Sequence, residues 1–348
     1  MRKTKLAKKP NPASNALFYA KAKDGYIIKM LFDALLTAMQ RTSFRVNKKG
    51  FYNRSHDEKT QILFDVCFKR RRFSMFRCHK EMEFSINLKH AQRMIRNVKK
   101  KDAVVMFIKK KDNGEPGDKL WVKIMPATGG DERSETVCVT ITHNPIIKTP
   151  LALPEYSVSE DGKEMEVYGF PKKVPAQGFQ KFKKMTGVGK EAVVEIQKNN
   201  YISFYSCCGE LYSSELEFGT IVENPESSDE MTQADSDDDH HSADESESES
   251  EEESEETEEE TEEDEDNDEG EEGIVVRGWY KEKFDMKLFG TLLKLHGLCS
   301  EMEFYAPRVK RYPLKVSVDA GKLGRISVYI KDKKQVDYEE EKKREKKT

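Results

Sequence analysis

The run Phe76-Arg77-Cys78-His79-Lys80-Glu81-Met82-Glu83-Phe84-Ser85-Ile86-Asn87-Leu88 leads into a segment of helical periodicity. Leu88, Ala91, Met94, Ile95 and Val98 recur at spacings of three and four, so a helix over 87–98 has one apolar stripe to bury. Asn87 stands at its N-cap, where a short amide side chain accepts from an otherwise orphaned backbone N–H. Arg93 and Arg96, three apart, share the face opposite that stripe, with Lys89 and Lys100 at its margins.

The same grammar extends in both directions. Upstream, Ile27, Ile28, Leu31, Leu35 and Met39 predict an amphipathic helix of about 14 residues after Asp24-Gly25, with Lys29 as its exposed base. Alternating patterns at 43–46 and 61–66, and further strands at 103–108, 120–124 and 137–141, read as antiparallel ribbons. A Pro-punctuated stretch follows, and the pattern then returns. A third helix is expected over 178–186, with Lys181 and Lys184 on one face. Strands at 192–197, 201–206, 215–218 and 273–278 precede a fourth helix, 286–296, carrying Lys287 and Lys294 two turns apart. Strands at 302–305, 314–318 and 326–330 close the pattern. Helix, strands, helix, strands therefore occurs twice. Each half is α+β, with two helices covering one face of an antiparallel sheet.

The charge is divided as sharply as the pattern. The 348 residues carry 60 Lys+Arg against 64 Asp+Glu, a net of −4. Residues 223–273 hold 29 of those carboxylates and no Lys or Arg, which leaves the rest of the chain at +25. The tract cannot bury enough apolar surface to fold, so it reads as a disordered insert in the second half. Three uses compete for it: a solubilising insert, a dock for basic partners, or a DNA mimic. Ser246, Ser248 and Ser250 precede acidic residues, as acidophilic kinases require. In the body, one basic helix face is ordinary. Four are harder to dismiss, and they point to phosphate-backbone attraction without base readout.

Other chemistries find no support in the residues. Thr186-Gly187-Val188-Gly189-Lys190-Glu191 fails as a phosphate loop, because the first glycine would stand at Lys184 and no Ser or Thr follows Lys190. The six cysteines form no C-x-x-C pair, and no metal site or cofactor is expected. Cys207 and Cys208 read as reduced, half-buried strand residues, consistent with a reducing compartment. No Ser-His-Asp or Cys-His set is present, so no enzymatic activity is expected. No run approaches the ~18 apolar residues a membrane span needs.

Several segments, taken together, resemble the proliferating cell nuclear antigen (PCNA) family of sliding clamps. The opening run resembles a clamp strand, an Asn-Leu helix start and a basic helix, and Lys100-Lys101-Asp102-Ala103-Val104 then opens the next strand. Val174-Pro175-Ala176-Gln177-Gly178-Phe179 is similar to the start of the clamp's third helix. Lys190-Glu191-Ala192-Val193-Val194 and Ser206-Cys207-Cys208-Gly209-Glu210-Leu211 resemble the strands after it. Tyr312-Pro313-Leu314-Lys315-Val316 and residues 324–329 resemble the closing strands. The resemblance spans residues 15–332 apart from insertions.

It implies a two-domain DNA clamp that closes as a homotrimeric ring, with helices inside and sheets outside. The implied layout is a disordered basic tail at 1–14, an N-terminal domain at 15–142, a connector at 143–173 and a C-terminal domain at 174–332. The acidic insert interrupts the last of these, and a charged tail occupies 333–348. Lys29, Arg93, Arg96, Lys181, Lys184, Lys287 and Lys294 fall on positions that face double-stranded DNA. Leu151, Leu153, Pro313 and Tyr329 fall on a connector pocket for partner peptides, with Lys331-Asp332 replacing the family's Ala-Pro and the connector longer through 157–166. The implied partners are DNA polymerase, a clamp loader and replication or repair enzymes. The implied location is the nucleus, or host cytoplasm and viral factory for a viral chain, and not secretion. Two alternatives are an acidic-tract chaperone for basic proteins, and a monomeric or dimeric processivity factor that does not encircle DNA.

Overall fold

The computed structural model describes residues 15–127, 134–144, 151–158, 164–197, 201–209, 211–219 and 279–345. The acidic tract, the basic N-terminal tail and the strand expected at 273–278 lie outside them. The first half runs β1 (Ala16–Ala22), α1 (Gly25–Ala38), β2 (Arg41–Asn47), β3 (Gly50–His56), β4 (Ile62–Lys69), β5 (Met75–Cys78), β6 (Met82–Asn87), α2 (Leu88–Ile95), β7 (Ala103–Lys110), β8 (Pro116–Met125) and β9 (Glu135–Thr142). In the connector, β10 (Tyr156–Val158) pairs with β11 (Glu164–Glu166) as a hairpin, which accounts for the added length read from the sequence.

The second half runs β12 (Lys172–Pro175), α3 (Ala176–Phe179), α4 (Phe182–Met185), β13 (Glu191–Gln197), β14 (Ile202–Cys208), β15 (Tyr212–Phe218), β16 (Trp279–Asp285), α5 (Met286–Leu295), β17 (Glu301–Tyr305), β18 (Leu314–Ala320), β19 (Gly324–Ile330) and α6 (Lys333–Glu345). Strand β16 begins where the expected one ends.

Strand pairing shows that the halves repeat each other. In the first, β1–β7–β8–β9 and β6–β2–β3–β4 are antiparallel ladders. In the second, β12–β17–β18–β19 and β16–β13–β14–β15 have the same connectivity. The halves meet where β19 pairs antiparallel with β4, from Gly324 opposite Phe68 to Ile330 opposite Ile62. The sheet is thus continuous across the boundary.

Helices and sheet share one core. α1 buries Ile27, Ile28, Leu31, Phe32 and Leu35, and α5 buries Met286, Phe289, Leu292 and Leu295. Phenylalanines supply much of the volume: Phe44 stacks on Phe51 at 4.8 Å, and Phe182 on Phe289 at 5.2 Å. Truncating any of these to alanine would cost on the order of 3–5 kcal/mol.

Two expectations change. The third helix is broken into two four-residue α-helical pieces, α3 and α4, and around the break Lys181 N, Lys183 N and Lys184 N donate to the carbonyls three residues back. Phe179, Phe182 and Met185, three apart, are all buried. Cys207 and Cys208 do lie in a strand, but both are exposed. The charged tail is helical over α6. Asp332 Oδ1 accepts from Gln335 N at 2.8 Å, and Gln335 Oε1 accepts from Asp332 N at 3.3 Å, a reciprocal capping box. Ion pairs Lys333–Glu191 and Lys334–Glu282 anchor the helix to β13 and β16.

Candidate nucleic-acid interface

The helices pack side by side on one face of the sheets, α2 against α1, α1 against α5 and α5 against α4. The α1–α5 contact crosses between the halves and includes a hydrogen bond from Thr37 Oγ1 to Thr291 Oγ1 at 2.9 Å. The stripe each helix buries is apolar, so its polar stripe faces away from the sheets. Arg93, Arg96, Lys181, Lys184, Lys287 and Lys294 are all exposed there. Lys29 is half-buried, and its ammonium donates to the Arg96 carbonyl at 2.8 Å. That places a cation at the C-terminal end of α2, where helix partial charge is negative.

The bases do not spread evenly. A cleft of about 980 Å³ opens between α1, α4 and α5. Tyr26, Met30, Gly290 and Leu293 give it an apolar floor, and Lys29, Lys183, Lys190, Lys287, Lys294 and Lys333 line it. Three acidic side chains also line it, and two are engaged: Asp285 caps α5 through Lys287 N at 2.9 Å, and Glu191 holds Lys333. Lys29, Lys287 and Lys294 are therefore brought together as read from the sequence. Lys181 and Lys184 do not line the cleft, whereas Lys183 of the same segment does. Lys183 carries no signal that sets it apart from Lys181 and Lys184, and Lys190 lies past the end of the helical segment, so neither stands out in the sequence. Lys333 lies in the charged tail, and its ion pair with Glu191 is a long-range contact that no local pattern signals.

The connector residues form a second constellation. Arg54 Nη1 donates to the Leu151 carbonyl at 3.0 Å. Leu153 packs against a cluster of Val167, Tyr168 and Tyr329, flanked by Leu63, Tyr305 and Tyr312. Glu155 accepts from Lys315 and from the Tyr329 hydroxyl, both at 2.6 Å, and Tyr168 donates to the Pro313 carbonyl at 2.7 Å. Burial pushes the Glu155 carboxyl up, but the bonds from Lys315 and Tyr329 outweigh it and hold the group below its ordinary range. Burial pushes the Tyr329 hydroxyl up, reinforced by its bond to Glu155. All four expected pocket residues thus lie in one neighbourhood, with one correction. Tyr329 is only 2% exposed, so its ring is the floor of this site and not an open wall.

Residues 17–120 match the family model described as proliferating cell nuclear antigen, N-terminal domain. Over those residues the chain is similar to the PCNA family. PCNA from Entamoeba histolytica shares the fold of the whole, with a TM-score of 0.59 over 91% of this chain and 99% of that one. The two sequences are 13% identical, so this likeness concerns the PCNA fold. No curated protein matches the chain in sequence. Among the described residues no cluster of His, Cys, Asp and Glu could hold a metal, and no helix is long and apolar enough to cross a membrane.

Proposed function

We propose that the chain is a DNA sliding clamp that encircles duplex DNA as a homotrimer and tethers a DNA polymerase to it. The observation that carries this reading is the row of four helix elements crossing both PCNA-type halves with basic residues on the side away from the sheets. Flexible Lys and Arg side chains meet phosphates without reading bases, so a ring that holds DNA topologically can slide while each contact stays weak.

Ring closure follows from the internal repeat. Within the chain, the fourth strand of one ladder, β19, pairs with the end strand of the other half, β4. Exchanging the halves makes β9 the counterpart of β19, and β15 the counterpart of β4. Those two edges are open among the described residues: β15 pairs only with β14, and β9 over 135–140 pairs only with β8. Joining β9 of one copy to β15 of the next repeats the internal junction head to tail, and such a contact closes into a ring when the rotation it imposes closes. The PCNA resemblance supports three copies.

Partner peptides would dock beside Leu151, Leu153 and Pro313, above Tyr329. The ring opens for loading with a separate loader. Sedimentation tests the assembly: the expected mass is near three times 40.2 kDa, and a strictly monomeric chain at micromolar concentration would refute it.

A further inference from the structure

We propose that three turns at one end of the continuous sheet form a second phosphate-binding site, a cationic collar beside the start of α1; this rests on the clamp reading above. The β2–β3 turn brings exposed Lys48 and Lys49. The end of β4 and the 3-10 turn after it bring four consecutive exposed bases, Lys69, Arg70, Arg71 and Arg72. The β18–β19 turn, from the other half of the chain, brings exposed Lys322.

Backbone bonds hold the three turns together. Arg70 N donates to Lys49 O at 2.8 Å, and Lys69 N donates to Leu323 O at 3.2 Å. The collar also abuts the helix row. A Cβ built on Gly321 would fall 2.7 Å from Ile27 Cδ1 of α1, and Ser74 N donates to Lys21 O at 2.9 Å, just before α1. Lys29 lies four residues into α1, about 6 Å of rise from its first residue.

The seven side chains carry no ion pair among the described residues. Two carboxylates on neighbouring turns and strands are committed elsewhere: Glu81 to Arg45 at 2.5 Å, and Asp319 to Arg325 at 3.3 Å. Seven unpaired cations held close together repel one another, and an external polyanion relieves that cost. In a 3-10 turn successive side chains splay by about 120°. Arg70, Arg71 and Arg72 therefore fan outward and cannot match one flat ligand, but they can meet phosphates arriving at different tilts. Guanidinium forks bind phosphate oxygens in pairs. On the clamp reading a duplex that meets Lys29 passes close to the start of α1 and so to this end of the sheet, which favours the DNA backbone over an acidic protein segment.

The test compares a collar variant (K48Q/K49Q/R70Q/R71Q/R72Q) with a helix-face variant (R93Q/R96Q/K287Q/K294Q) in the full chain. Equilibrium binding to a linear duplex is measured across salt, with polyglutamate as a competing probe. The collar variant should flatten the log affinity against log salt slope by roughly 2–4, with its thermal unfolding unchanged because only exposed side chains are altered. A wild-type slope in the collar variant, beside a flattened slope in the helix-face variant, overturns the collar and leaves the clamp standing. Loss of polyglutamate binding with an unchanged DNA slope overturns it too, in favour of an acidic protein ligand. A wild-type chain that fails to stay on ligated circles overturns the clamp reading and the collar with it.

Discussion

Asp332 shows what a single residue contributes and how it could have been found. Sequence reading noted only that Lys331-Asp332 departs from the clamp pattern. Yet Asp332-x-x-Gln335 is the capping-box spacing, and the structure uses it to start α6. Burial raises the Asp332 carboxyl to about 6, reinforced by nearby Glu282 against the opposing Gln335 N–H. A folded value above the unfolded one means the stabilisation is full below about pH 4 and is lost as pH rises through about 6. Hydrogen exchange over 333–345 should therefore show α6 better protected at pH 5 than at pH 7.5. Asp332→Asn keeps the acceptor and should flatten that dependence, whereas Asp332→Ala should cost about 1 kcal/mol. An unaltered pH dependence in the Asn variant would contradict this assignment. Glu155 behaves in the opposite sense. Its folded value is depressed, so the connector anchor persists above the ordinary carboxyl range and is lost as pH falls below it. Limited proteolysis of the connector should accelerate at pH 3.5, and Glu155→Gln should accelerate it at pH 7 as well; equal cleavage of Gln variant and wild type at pH 7 would remove Glu155 from the anchor.

Among the elements, legibility tracked the strength of the local pattern. α1 and α5 match the spacing of their apolar residues, and Asn87 caps α2 as its chemistry predicts, accepting from His90 N at 3.1 Å. The break in the third helix is not legible because Phe179, Phe182 and Met185 keep a spacing of three that an unbroken helix also satisfies, while the structure interrupts it between Phe179 and Phe182. β1, the β10–β11 hairpin and the β4–β19 junction were not predicted from local pattern: the first two have weak alternation, and the third is a long-range pairing that no window of sequence contains. The helix faces of the site were readable for the same reason the helices were. The cleft that gathers Lys183, Lys190 and Lys333 was not, since it forms from α1, α4 and α5 only after folding. At this scale the open edge of β15 is testable with proline. N–H groups alternate between the two sides of a strand, so of Ser214→Pro and Glu215→Pro one removes a donor to β14 and the other a donor on the open edge. One variant should lose thermal stability, and the other should keep its fold but lose trimer mass. Full trimer mass in both would exclude β15 from the subunit contact.

For the molecule as a whole, the net charge of −4 conceals its organisation. A body of +25 carries bases on four helix elements and on the turns beside them, while 29 carboxylates sit in a segment inserted between β15 and β16. On the clamp reading the insert is separable, so deleting 223–273 should leave DNA retention in place. Loss of all activity on that deletion would favour the chaperone reading instead. The most direct measurement asks whether the protein encircles DNA. The protein is mixed with linear duplex, so that rings thread from the free ends. Half of the sample is ligated into circles, and both halves are washed in high salt, which strips electrostatic contacts. A closed ring predicts retention on the ligated circles, loss from the linear duplex, and release when the circles are recut. Equal loss from circles and linear duplex would show that the chain only adheres to DNA and does not surround it.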